Sequence, residues 1–156
     1  MPVSDCLVLN AMGHPGCDAA DWIVAWAEQH GLDDDTQFAM RLCIEELITN
    51  WANHGLTRSP VDHQVSLTAR LGESSAGENA AGEPEVVVDI IDDGRHFDVA
   101  TALEPGKEGN IHDATVGGRG IRLMRAFARS LAWQPHKDGN HTTFTFAVTA
   151  AATPDR

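Results

Sequence analysis

The chain has 156 residues, of which 42% are hydrophobic and 22% charged, as expected for one soluble globular domain with its own core. The 23 acidic residues outnumber the 11 basic ones and give a formal charge of −12, which argues against nucleic acids and anionic membranes as partners. There is no apolar run long enough to cross a bilayer, no visible signal peptide and no CxxC pair among the three cysteines, so we expect a reduced, cytoplasmic protein.

The first half of the chain predicts one strand followed by two helices. Residues 6–9 form a short apolar run that is typical of an edge strand. Apolar residues at helical spacing then predict a first helix, which is capped by Asp18 or Asp21 and ends before Gly31. A short acidic run suits the positive end of a helix dipole and opens a longer second helix over residues 36–54.

The second half predicts a sheet with one further helix. In chain order we expect a strand at 65–71, a mobile hairpin loop at 72–85, an inner strand at 86–91, a loop at 103–116, a helix at 121–130, a strand pair at 131–133 and 141–148, and a frayed tail at 149–156. Because helices and strands occur in separate blocks, this order favours an α+β fold. The helices would lie on one face of a mixed, mostly antiparallel sheet.

A polar line begins halfway along the second predicted helix. Glu46, Asn50 and His54 are four residues apart and therefore share one face, and Leu42 lies one turn earlier on the same line. A line that starts apolar and turns polar suggests side chains that face a partly enclosed pocket. A solvent-exposed polar stripe is the competing interpretation.

Two further segments are weak signals individually. Residues 92–94 (Asp-Asp-Gly) close a predicted strand, where a carboxylate can accept a hydrogen bond from an exocyclic amine and glycine lets a flat ring approach the backbone. The alternative is an ordinary Asp-Gly turn. Residues 117–120 (Gly-Gly-Arg-Gly) precede a helix, whose free N–H groups and dipole favour an anion. This glycine turn matches neither the P-loop nor the dinucleotide-binding signature.

In this order and spacing, the three segments closely resemble the N, G1 and G2 boxes of the GHKL ATPase superfamily, which includes gyrase, histidine kinases and MutL. The finer pattern resembles the anti-sigma-factor serine kinases of the RsbW and SpoIIAB type. The resembling stretches are 44–50 with His54, 92–94 with Phe97-Asp98, 117–124 and the Thr142-Thr143-Phe144 strand. The resemblance covers residues 5–148 as a single domain and implies a Bergerat-type two-layer α/β sandwich that binds Mg-ATP, with a lid at 103–116.

Carried over to this sequence, the resemblance implies roles for the catalytic and adenine-contacting residues. Glu46 would be the general base that deprotonates the attacking hydroxyl. Asn50 would supply its amide oxygen to Mg²⁺, a hard cation that prefers oxygen ligands. Asp92 would accept a hydrogen bond from the adenine amino group, and Gly94 would lie against the ring.

The resemblance also implies contacts to the phosphates and support for the aspartate. The ATP phosphates would contact the turn formed by Gly118, Arg119, Gly120 and Ile121. The Arg119 side chain is either a phosphate or lid contact or a solvated arginine. Thr142 would assist Asp92 through hydrogen bonds, with Thr143 as the alternative.

Two other features have two interpretations each, and a third has one. Arg122, Arg125 and Arg129 form a basic stripe in an acidic protein, which is either a solvated face or a docking surface. His54 is either a structural residue of the N box or a ligand-contacting one. Cys43 lies among apolar neighbours, where inert packing is the simpler interpretation.

The resemblance implies a Mg-ATP-dependent protein-serine kinase that phosphorylates a STAS-domain anti-anti-sigma factor. In its other state the protein would hold a sigma factor or another regulatory target, and it would act as a homodimer. One alternative is a regulatory module that binds ATP and a partner without phosphorylation, and another is an ATPase subunit of a larger machine. An autophosphorylating histidine kinase is disfavoured because an ATP module that starts near residue 5 leaves no room for a dimerisation helix pair.

Overall fold

The computed structural model describes residues 2–74, 82–102 and 118–148. In chain order its elements are β1 (Cys6–Asn10), α1 (Pro15–Gln29), α2 (Asp34–Asn50), a π-helical turn (Trp51–Gly55), a 3₁₀ turn (Pro60–Asp62), β2 (Gln64–Ser74), β3 (Glu83–Asp92), α3 (Gly118–Phe127), β4 (Ser130–His136) and β5 (Gly139–Ala147).

The five strands form one sheet in the order β1-β2-β3-β5-β4, and all four pairings are antiparallel. The three helices pack on one face of this sheet, which confirms the predicted α+β architecture. As predicted, β1 is an edge strand and β3 is an inner strand.

The core lies between the sheet and the helix layer. Alternate residues of β3 and β5 point towards the helices, so Val88 on β3 lies beside Phe144 on β5 and both are fully buried. The apolar face of α2 closes this core with the buried residues Met40, Ile44, Leu47 and Ile48. Full burial of each large apolar side chain stabilises the fold by roughly 1.5–3 kcal/mol.

The same alternation continues to the ends of the strands and changes from apolar to polar there. Asp92 ends β3 on the helix-facing side, directly opposite Asn140 on β5. Ile90 and Thr142 form the next pair inward on the same side. The strand register therefore places a buried carboxylate and a buried amide side by side at one end of the core.

The helix starts differ from the sequence-based boundaries. The cap predicted at Asp18 or Asp21 is wrong, because α1 begins at Pro15, which has a preset φ and lacks the N–H that would go unpaired in a first turn. By contrast, Asp33 caps α2 by accepting a hydrogen bond from the Thr36 N–H at 2.9 Å. The last helix begins at Gly118 rather than Ile121, so the glycine turn forms its first turn.

Several loop predictions fall partly or wholly outside the described residues. Strands β2 and β3 extend further into the predicted 72–85 loop than expected, and residues 75–81 are outside the described part. The predicted lid at 103–116 and the predicted tail at 149–156 also lie outside it. Within the described ranges, no helix has the length and apolar character needed to cross a bilayer.

Candidate functional site

Glu46 and Asn50 lie one turn apart on α2 and are both half-buried, and Glu46 lies against the first turn of α3. A Cβ atom placed on Gly120 would overlap the Glu46 carboxylate and would lie 3.3 Å from its Cδ. The segment of α2 that carries Glu46 is therefore in contact with the glycine turn that begins α3. Glycine at position 120 allows α3 to approach the carboxylate. Neither Glu46 nor Asn50 makes a side-chain hydrogen bond to another described residue, so both remain available to a ligand.

The interface between α2 and α3 continues one turn away in an apolar environment. Cys43 is fully buried, and its thiol donates to the Met124 carbonyl oxygen at a sulfur–oxygen distance of 3.7 Å. Burial raises the pKa of the Cys43 thiol to about 12, and the nearby Glu46 charge adds to this effect. The thiol therefore stays protonated at neutral pH, as its interpretation as inert packing requires.

The predicted polar line ends in a change of helix geometry. Beyond Asn50 the chain continues as the π-helical turn Trp51–Gly55 instead of the α-helix expected to residue 54. His54 lies in this turn and is exposed, and its place on the line of Glu46 and Asn50 stays a prediction. Bulky Trp51 is buried in this turn, and its Nε1 is the one fully buried side-chain polar atom without a partner in the described part of the chain.

Asp92 forms the second part of the site, at the end of β3. Its Oδ1 accepts hydrogen bonds from the Gly94 N–H at 2.8 Å and from the Asn140 side-chain amide at 2.9 Å. Its Oδ2 accepts none from the described residues, although the residue as a whole is only 8% exposed. The carboxylate is therefore held through Oδ1, and its Oδ2 is left available to a ligand.

The environment of Asp92 also affects its protonation. Burial raises the pKa of this carboxyl group, while the hydrogen bonds from Asn140 and Gly94 act in the opposite direction. Asp93 raises the pKa further through charge repulsion, and His63 lowers it. Asp92 is thus a buried acid whose charged form depends on the donors placed around it.

Close backbone packing surrounds Asp92. Gly94 is buried against Trp51 and the Gly55 carbonyl oxygen of the π-helical turn, and this packing accounts for a small residue there. Its predicted contact with an adenine ring stays a prediction. On the other side, a Cβ on Gly139 would lie 2.7 Å from the Asp92 carbonyl carbon, so glycine lets the β4–β5 hairpin pack against the end of β3.

The adjacent threonines Thr142 and Thr143 of β5 face opposite sides of the sheet. Thr142 is buried on the helix-facing side, one residue pair from Asp92, and its predicted role beside the aspartate stays a prediction. Thr143 faces the other side, where its hydroxyl donates to Asp89 at 2.8 Å. The alternative that Thr143 supports Asp92 is therefore wrong.

A buried histidine holds the segment after the π-helical turn to the end of β3. The Nδ1 of His63 lies 2.7 Å from Asp93 Oδ1, and its Nε2 accepts from the backbone N–H groups of Thr57 and Arg58 at 3.1 and 3.0 Å. The two accepted bonds identify Nδ1 as the donor to Asp93. Sequence reasoning missed this pair because its members are 30 residues apart and no local spacing indicates the contact.

The remaining predicted residues belong to the glycine turn and to the basic stripe. Ile121 is buried in the first turn of α3, while the side chain of Arg119 lies outside the described part. Of the basic stripe, Arg122 is exposed, Arg125 is half-buried and Arg129 lies 3.4 Å from Glu83. Both interpretations of the stripe stay predictions.

The residues near Asn50 fit a hard cation that takes most of its ligands from phosphate and water. The described residues contain no cluster of three or more histidine, cysteine or acidic side chains. The Asn50 amide oxygen and the Glu46 carboxylate are oxygen donors on one helix face, the ligand type that Mg²⁺ prefers.

Comparisons with known proteins agree with this arrangement. Residues 17–146 match the family model of the histidine kinase-like ATPase domain. Serine/threonine-protein kinase BtrW from Bordetella bronchiseptica is 29% identical over 142 residues, which cover 91% of this chain and 92% of that protein. The structure of the RsbU and RsbW domains of Rv1364c from Mycobacterium tuberculosis aligns with a TM-score of 0.59 over 96% of this chain and 35% of that longer chain. At 15% identity, this last likeness concerns the fold alone.

Proposed function

This chain belongs to the histidine kinase-like ATPase domain family, and on that premise we propose that it is an ATP-dependent protein-serine kinase that phosphorylates a STAS-domain antagonist. In its other state it holds a sigma factor or a comparable regulatory target, as a cytoplasmic homodimer. The observation that carries the proposal is the contact between Glu46 and the first turn of α3, which brings a half-buried carboxylate to a helix N-terminus suited to phosphates. The similarity to a named serine/threonine-protein kinase supports the same activity.

Asp92 is the adenine-binding residue in this proposal. Its Oδ2 is unused by the described residues, and an ionised carboxylate oxygen accepts from an exocyclic amine. Gly94 allows the ring to lie close to the backbone, and Thr142 supports the carboxylate from the neighbouring strand. The base end of the nucleotide is thus recognised by the end of the sheet.

The phosphates bind at the first turn of α3. Backbone N–H groups in a first helical turn have no intrahelical partners, and the helix dipole adds positive potential there. Gly118, Arg119, Gly120 and Ile121 supply these groups, and the Arg119 side chain adds a phosphate or lid contact. This local positive potential allows an acidic protein to bind a polyanion.

Glu46 is the general base for transfer to a serine hydroxyl. Its carboxylate takes the proton from the serine Oγ as Oγ bonds to the γ-phosphorus, and the bond from that phosphorus to the β–γ bridging oxygen breaks, releasing ADP. Asn50 would hold Mg²⁺ through its amide oxygen. Bound Mg²⁺ supplies charge neutralisation on the phosphate oxygens.

The test is transfer from γ-labelled ATP to a purified STAS-domain antagonist encoded beside this protein. We expect label on one serine of the antagonist, at a rate that depends on added Mg²⁺. Tight ATP binding with no phosphoprotein would instead favour a regulatory module that binds its partner without phosphorylation. Release of free phosphate without any protein substrate would favour a simple ATPase.

The contact between Gly120 and Glu46 predicts an activity defect without a stability defect. In Gly120→Ala the added methyl group displaces the Glu46 carboxylate, while alanine improves helix propensity by about 1 kcal/mol. We expect transfer to slow by about 10- to 100-fold, because small misplacements of catalytic groups are costly. Initial rates and thermal unfolding measured in parallel check both parts.

The matched control makes the Gly120→Ala substitution in a protein that lacks the Glu46 carboxylate. In a Glu46→Ala background, Gly120→Ala is expected to leave the residual transfer rate unchanged. A Gly120→Ala protein that transfers phosphate at the wild-type rate would show that the position of Glu46 does not limit catalysis.

A further inference from the structure

Asn140 is a buried side chain whose entire hydrogen-bonding capacity is used. Its Nδ2 donates to Asp92 Oδ1 and to the Arg95 carbonyl oxygen, both at 2.9 Å. Its Oδ1 accepts from the Phe97 N–H and from the Trp133 indole N–H, both at 2.8 Å. An asparagine amide has two N–H donors and two acceptor positions, so none is left over.

These partners determine which way the amide points. Phe97 N and Trp133 Nε1 can only donate, so the oxygen of Asn140 must face them. The amide nitrogen therefore faces Asp92, and a flipped amide would oppose like groups at all four contacts. Asn140 is thus a fixed donor towards the aspartate.

The fixed donor determines which oxygen of Asp92 can meet a ligand. Asn140 and the Gly94 N–H together occupy Oδ1, whereas Oδ2 receives no hydrogen bond from the described residues. An ionised Oδ2 can only accept, which matches the 6-amino group of adenine and repels the 6-oxo group of guanine. A protonated Oδ2 would donate instead, and a 6-oxo purine would then be accepted.

We propose that Asn140 is a positioning residue that gives the site its preference for a 6-amino over a 6-oxo purine nucleotide, by holding Asp92 through Oδ1 in its charged form. The inference rests on the proposed function, because it requires Asp92 to be the residue that contacts the purine base.

The charges around Asp92 show why this donor matters. Burial and the neighbouring Asp93 raise the pKa of Asp92 and favour its protonated form. His63, Gly94 and Asn140 lower the pKa and favour the charged form. The other titratable side chains that act on Asp92 in the described structure are Asp93 and His63. Without the Asn140 amide, one of the two donors to Oδ1 is lost and the carboxyl group retains its proton to a higher pH.

The test compares ATP and GTP affinities by titration calorimetry with MgCl₂ between pH 5.5 and 8.5. The main variant is Asn140→Asp, which keeps acceptors for Phe97 and Trp133 but replaces the donor to Asp92 with a second carboxyl group. We expect the ATP-to-GTP preference to fall at least tenfold. We also expect the loss of ATP affinity on acidification to begin about one pH unit higher, because paired carboxyl groups retain a proton.

Thr143→Val is the matched control, because Thr143 lies on the same strand and donates to Asp89 on the opposite face. We expect this variant to keep the wild-type preference and pH profile. Asn140→Ser is a second variant that removes the amide without adding charge, and we expect the preference to fall in it as well.

Three outcomes would overturn the inference or its premise. A folded Asn140 variant with the wild-type preference and pH profile would overturn it. If neither variant folds while Thr143→Val does, Asn140 is a scaffold residue and the inference is also overturned. A wild-type protein that binds neither nucleotide would overturn the proposed function itself, which distinguishes the two failures.

Discussion

Glu46→Ala is expected to reduce phosphoryl transfer to the antagonist by roughly 10²- to 10⁴-fold, the usual contribution of a positioned general base. ATP affinity is expected to stay within about threefold of wild type, because in the proposed mechanism the carboxylate acts on the attacking hydroxyl and not on the nucleotide. Initial rates with labelled ATP, combined with titration calorimetry, measure the two quantities separately.

Glu45→Ala provides a matched control for this result. Glu45 is the adjacent half-buried glutamate on α2, and its carboxylate lies 3.9 Å from Arg41 in an exposed i,i+4 pair. Such pairs contribute little to stability, so we expect nearly wild-type transfer in this variant. If Glu46→Ala and Glu45→Ala transfer phosphate equally well, Glu46 is not the base.

Asp92→Asn is expected to weaken ATP binding by about 10- to 100-fold while the protein stays folded. The asparagine oxygen can take the place of Oδ1 and accept from Gly94 and Asn140, which leaves an amide N–H₂ facing the ligand. A donor would then meet the adenine amino group, and a charge-assisted hydrogen bond of about 1.5–3 kcal/mol is lost. Calorimetric titration with ATP measures the change in affinity.

The stability of the same variant follows from the raised pKa of Asp92. A carboxyl group whose pKa is higher in the folded than in the unfolded chain opposes folding when it is ionised. This cost disappears as pH falls through the folded-state pKa. At neutral pH we therefore expect Asp92→Asn to unfold at the same temperature as wild type or a higher one.

Asp89→Asn tests whether the effect is specific to the helix-facing side of β3. Asp89 lies on the same strand but faces the other side of the sheet, where it accepts from His141 and Thr143. We expect its ATP affinity to stay within about threefold of wild type. Equal losses in the two variants, or unchanged affinity in Asp92→Asn, would exclude Asp92 as the adenine acceptor.

Local sequence patterns predicted the elements that depend on neighbouring residues. The acidic start of α2 and the β-branched run of β3 are local signals, and both elements formed where they were expected. The start of α1 was misplaced because Pro15 is compatible with both a turn and a first helical turn, and packing decides between them. The π-helical turn was also missed, because no local spacing within residues 51–55 indicates it.

The sequence by itself determined the family, the strand end that carries Asp92 and the helix turn that carries Glu46 and Asn50, because these depend on spacing within short segments. Only the tertiary structure decided how Asp92 is held. Asn140 lies 48 residues from Asp92 in the chain, and Gly120 reaches Glu46 from a different helix. Cross-strand register and helix packing create such contacts, and neither has a signature within one segment. The bulk charge of −12 is likewise a property of the sequence, whereas the packing of a helix N-terminus beside Glu46 is a property of the tertiary structure.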